Sequence, residues 1–195
     1  MMTTFQMYLQ LGIEHITDLK GYDHILFLIT LIAIYQFRHW KKILILITAF
    51  TIGHTVSLLV ASFDIVSFPT RWIEFLIALT ILLTALANIF MAKTETSKGH
   101  HIYKYVMGLV FGLIHGLGFS NYLKSLILSE ESIIGPLFSF NLGIEAGQLI
   151  IVAVFLLLGL MAMNIFKAKP RDWNLVFSGA GLGVSLILLI ERFPI

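Results

Sequence analysis

The chain has 195 residues, 58% of them hydrophobic and 12% charged, with a mean hydropathy of +0.92. That is too apolar for a soluble domain of this size and excludes a soluble enzyme, while a net charge of only +2, carried in short clusters, excludes a nucleic-acid surface. There is no cysteine, so no disulfide framework and no thiolate ligand exist, and any metal must be held by nitrogen and oxygen.

The expected architecture is all-α, a single polytopic membrane domain over residues 1–195. Residues 1–20 have neither the basic start nor the small-residue cleavage site of a signal peptide. Phe5, Tyr8, Leu9, Gly12, Ile16 and Leu19 recur at helical spacing, which predicts an amphipathic helix lying in the membrane interface. Residues 22–195 then read as a six-helix transmembrane bundle, with spans at 22–38, 42–62, 71–92, 104–124, 135–165 and 173–191. The fifth run exceeds a simple crossing, which implies tilt or an extension beyond the bilayer.

Lysine and arginine alternate between the connections. Arg38, Lys41 and Lys42, then Lys93, Lys98 and Lys104, then Lys167, Lys169 and Arg171 put nine of the thirteen basic residues on one side, against Lys20, Arg71, Lys124 and Arg192. The positive-inside rule makes the first side cytoplasmic and both termini extracytoplasmic. Asp64, Glu130, Glu131 and Glu191 lean the other way, and His39, His100 and His101 fall in the cytoplasmic connections.

Ionisable groups inside spans cost roughly 2.5–3.5 kcal/mol each at mid-membrane, so each needs a partner or a purpose. Here they form a set: Asp23 and His24 open the first span, His54 sits in the second, Glu74 in the third, His115 in the fourth and Glu145 in the fifth. Asn141, Glu145 and Gln148 follow at i, i+4 and i+7 on one helical stripe. Gly108, Gly112 and Gly116, and Gly143 and Gly147, permit close helix approach, and Gly179 and Gly183 predict a similar packing face on the sixth span. Counted from the predicted outer ends at about 1.5 Å per residue, all six ionisable groups fall in the outer half, the deepest about 12–15 Å down. The inner half is expected to hold only uncharged polar groups, among them Thr48, Thr80, Thr84, Asn88 and Asn164.

Imidazoles and carboxylates without thiolates suit Ni²⁺, Co²⁺, Zn²⁺ or Fe²⁺ better than Ca²⁺ or Cu⁺. His24, His54 and His115 are the first candidate ligands, with Asp23 and Glu145 as ligands, as acceptors that orient a histidine, or as a base acting on metal-bound water. Glu74 either joins this set or pairs with Arg71 one turn away, and Asn141 and Gln148 either support the site or tie helices together.

The segments Gly12-Ile13-Glu14-His15-Ile16, Gly21 to Phe27, Phe50 to Thr55, Glu74 to Thr80, His115 to Phe119 and Phe140 to Gln148 resemble, in order, those of the HupE/UreJ family of small membrane proteins. The resemblance implies association with hydrogenase and urease systems, nickel or cobalt permease activity and a bacterial inner membrane. It also implies that His15, Asp23 and His24 form a histidine plus Asp-His signature. Seven residues separate His15 from Asp23, a wider spacing than is usual there, which ranks His15 last among the ligands.

Three functions fit these residues. A transition-metal permease would bind the ion as its substrate. An intramembrane metal-dependent hydrolase would keep the ion as cofactor and use Asp23 or Glu145 as base on a lipid or peptide. A metal sensor or structural partner of another membrane protein would need only binding.

Overall fold

The computed structural model describes residues 2–66, 68–91, 98–127 and 132–194. Lys93, Glu130 and Glu131, and the side chains of Lys98, His100 and His101, lie outside the described residues. The described chain forms seven α-helices, α1 (Thr4–Thr17), α2 (Tyr22–Ile32), α3 (Trp40–Ser62), α4 (Thr70–Met91), α5 (Lys98–Ile127), α6 (Ile134–Asn164) and α7 (Pro170–Glu191), with a short 3-10 turn at Phe37–His39 before α3. Five of them, α3 to α7, are long and apolar enough to cross a bilayer, and this is an integral membrane protein.

The run expected to be the first span behaves differently. Helix α2 has 11 residues, a rise of about 16 Å and half a bilayer. Its apolar sequence continues past Ile32, but the Thr30 carbonyl is taken by the Asn88 side-chain amide at 2.6 Å. Tyr35 N–H then bonds to Ile32 O at 2.8 Å, closing a tighter turn.

Helix α1 starts on a reciprocal cap, Gln6 N–H donating to Thr3 Oγ1 at 3.2 Å and Thr3 N–H to Gln6 Oε1 at 3.0 Å. It packs along α6 in the same direction, with Leu9 beside Gly143 and Ile16 beside Gly147. Tyr8 and Ile16 are buried against Leu137, Phe140 and Ile144 while Phe5 and Met7 stay exposed. A Cβ on Gly12 would collide with the Phe140 carbonyl and one on Gly143 with that of Leu9, so each backbone lies directly on the other.

Helices α3 and α5 are parallel and equally close. A Cβ on Gly53 would meet the Leu109 carbonyl, and one on Gly112 would lie 3.0 Å from His54 N. This contact sets His54 and His115 at one level. Gly179 and Gly183, expected to form a packing face, meet nothing within 4 Å, and it is Gly181 that receives the Thr30 side chain of α2. The bundle therefore has two ends: α2, α4 and α6 finish at the end where Lys41 and Lys42 begin α3, and α3, α5 and α7 finish at the end of Arg192. An ion pair from Lys124 to Asp64 ties α5 to the turn after α3 at the latter end.

Candidate functional site

Four histidines from four helices meet in the bundle. His15 comes from the last turn of α1, His24 from the first turn of α2, and His54 and His115 from mid-helix on α3 and α5. Ring centroids are 4.8 Å apart for His15 and His24, 5.0 Å for His24 and His115, and 6.1 Å for His15 and His54. His54 and His115 are almost completely buried. The short α2 is what makes this possible, because its first turn begins inside the bundle at the level of His115.

The hydrogen bonds around three of these rings leave one nitrogen of each free of any partner. For His24, Nδ1 lies 3.0 Å from Asp23 Oδ1, a carboxylate that can only accept, so Nδ1 carries the proton and Nε2 presents a lone pair. Asn141 donates its amide to Leu137 O at 2.8 Å, which turns its Oδ1 toward His54 Nδ1 at 3.4 Å and again leaves Nε2 bare. The Thr80 hydroxyl donates to Ile77 O at 2.7 Å, so its oxygen accepts from His115 Nε2 at 3.4 Å and Nδ1 is the bare nitrogen. Those three atoms, together with Nε2 of His15, are buried without a hydrogen-bond partner. An unsatisfied buried acceptor costs about 1–3 kcal/mol, and an outer partner that fixes the tautomer of a histidine is the usual support of a metal ligand. The donor set therefore fits a divalent transition metal. As the rings stand, packed edge to face, no three His, Asp or Glu groups among the described residues close on one point.

Asp23 is engaged on both oxygens. Oδ1 takes the backbone N–H of His24 at 2.9 Å as well as its ring, and Oδ2 takes Arg192 Nη1 of the α7 terminus at 2.9 Å. Asp23 thus orients His24 and is itself held by Arg192. Glu145 is placed elsewhere: its carboxylate accepts from Thr48 at 2.8 Å on the exposed flank of α3. Gln148 accepts from Thr51 at 2.9 Å, a tie between α6 and α3, and Glu74 is exposed on α4. Of the carboxylates proposed from the sequence, only Asp23 touches an imidazole. Neither Asp23 nor Glu145 is placed as a free base beside the histidines.

Four phenylalanines wall the cluster, and the sequence reading missed them. Phe27 and Phe50 lie 5.0 and 5.3 Å from the His115 ring, and Phe119 lies 3.9 Å from His15 and stacks on Phe140 at 5.0 Å. A signal was present, since Phe27, Phe50 and Phe119 stand three or four residues from His24, His54 and His115 and so share their helix faces. Arg192 was also missed as the partner of Asp23, and Lys104 as an interior group. Lys104 was assigned to a connection and the inner half to uncharged groups, yet its side chain is buried against Asn88. Beside His15 an open groove of about 730 Å³ lies between the α1 to α2 turn and Phe119 and Tyr122, toward the Arg192 end.

A family model described as HupE / UreJ protein matches residues 1–191. Comparison with curated proteins and with solved structures found no match.

Proposed function

Because this chain belongs to the HupE/UreJ family, we propose that it is a membrane permease for a divalent transition metal of the nickel or cobalt type. The observation that carries the reading is the set of bare imidazole nitrogens on His24, His54 and His115, each ring held by an outer partner, with the bare Nε2 of His15 next to them. Of the four imidazoles, His15 is the one that lines the open groove, beside Glu14 and Asp18, and His24 is within ring contact of both His15 and His115. Asp23 lowers the cost of a dication by placing its negative charge behind His24, and Arg192 keeps that carboxylate from becoming a ligand in its own right. The phenylalanine wall packs around His115 and His15 and helps to keep His54 and His115 almost completely buried.

With the basic connections in the cytoplasm, the groove opens to the extracytoplasmic side, in keeping with uptake across a bacterial inner membrane. The decisive measurement is equilibrium dialysis of Ni²⁺ and Co²⁺ on purified protein, paired with uptake into proteoliposomes. His54→Ala and His115→Ala are expected to lose at least tenfold in affinity and to stop uptake. Unchanged affinity in both removes the site, and binding without uptake in the unaltered protein removes the permease.

A further inference from the structure

The histidine cluster is joined to the Lys41 end by a polar rail. Thr80, Thr84 and Asn88 recur at i, i+4 and i+8 on α4, one stripe about 12 Å long. Its upper end touches His115 through Thr80 Oγ1, and at its lower end Asn88 Oδ1 accepts from Lys104 Nζ at 2.9 Å. Lys104 and His115 stand eleven residues apart on α5, three turns, and so face the same stripe. All three rail residues are buried, at 3%, 5% and 1% exposure, and Lys104 is 6% exposed.

The partners of Lys104 are unusual for a buried amine. Besides Asn88 it has the Tyr35 ring, 5.4 Å from Nζ, and, among the described residues, no hydrogen bond or ion pair to a carboxylate. Its anchor is itself tightly held, Asn88 Nδ2 donating to Thr30 O at 2.6 Å and Asn174 Nδ2 donating to Asn88 O at 3.1 Å. The space left beside the amine is about 10 Å³, room for about one water. A basic group buried on neutral partners is poor value for stability and a strong sign of use. It also sits near the membrane boundary on a long flexible stem, from which it can reach water.

We propose that Lys104 is the inner gate: its head plugs the rail between the histidine cluster and the Lys41 end by holding Asn88 Oδ1, and it swings toward that end to let an ion pass. In its place on Asn88 it occupies the lower end of the rail, and when protonated it repels a dication. Once it leaves, Asn88 Oδ1 and the Thr84 hydroxyl line the exit as neutral oxygen donors. The gate rests on the permease reading.

The test uses the full chain in proteoliposomes with a trapped metal indicator and Ni²⁺ or Co²⁺ outside. Lys104→Met keeps the bulk and loses donor and charge, and is expected to raise flux at least tenfold. Lys104→Arg keeps both and is expected to stay within about twofold of the unaltered protein. Met at the unaltered rate, or Arg as fast as Met, overturns the gate. A second measurement exploits the absence of cysteine: Thr84→Cys is expected to react at least tenfold faster with an impermeant cationic thiol reagent from the Lys41 end when combined with Lys104→Met, and equal rates overturn the gate. If neither the unaltered protein nor Lys104→Met conducts, the permease reading fails and the gate with it; if the unaltered protein conducts, His115→Ala stops it and Lys104→Met is no faster, the gate alone fails.

Discussion

Asp23 shows how a single carboxylate can hold an imidazole in place from behind. It bonds the His24 ring at 3.0 Å on one side and Arg192 at 2.9 Å on the other, so its charge is compensated from α7 and its geometry is transmitted to α2. Asp23→Asn keeps the shape but can turn its amide toward His24, which spoils the tautomer and strands Arg192. We expect metal affinity to fall about 10- to 100-fold with the fold retained, measured by equilibrium dialysis beside circular dichroism. Protons compete with metal for the same nitrogens. Burial beside the other imidazoles pushes the His15 ring well below the usual imidazole range, so its lone pair survives mild acid. His15 is expected to stay neutral from pH 7.5 to pH 5.5, read from its ring-proton shifts by NMR, and protonation within that range would mean that the ring is not desolvated.

Among the elements, the paired glycine contacts matter most. Gly53 on α3 and Gly112 on α5 leave room for backbone against backbone, and that approach puts His54 and His115 at one depth. Gly112→Val must push the two helices apart, at a cost of about 1–3 kcal/mol, and is expected to lower the unfolding temperature in detergent and weaken metal binding together. Gly179→Ala on α7 meets nothing within 4 Å, and is expected to change stability by less than about 0.5 kcal/mol in the same assay. The sequence pattern revealed the α5 and α6 glycine stripes, because a four-residue spacing is legible at sight. It misassigned those of α7, because a repeat says which face is small and not which neighbour lies against it.

For the whole molecule, sidedness decides what the open groove can do. Single cysteines report it directly in a chain that has none. Thr94→Cys, in the connection before α5, is expected to react with an impermeant reagent only from the cytoplasmic face, and Asp64→Cys, after α3, only from outside. The reverse pattern would invert the direction of access. Composition alone established a membrane bundle, since apolar runs of bilayer length can be satisfied only by helices in lipid, and the histidines stood out because ionisable groups there are costly. The ordered motifs pointed to the family. Other features depended on contacts between segments far apart in the chain. Helix α2 stops at Ile32 because Asn88, 58 residues away, takes the Thr30 carbonyl. His15 enters the cluster because α1 docks on α6, and Glu145 stays out because its own helix turns it to Thr48. Periodicity along one helix specifies a face, whereas the choice of what that face meets belongs to packing between helices.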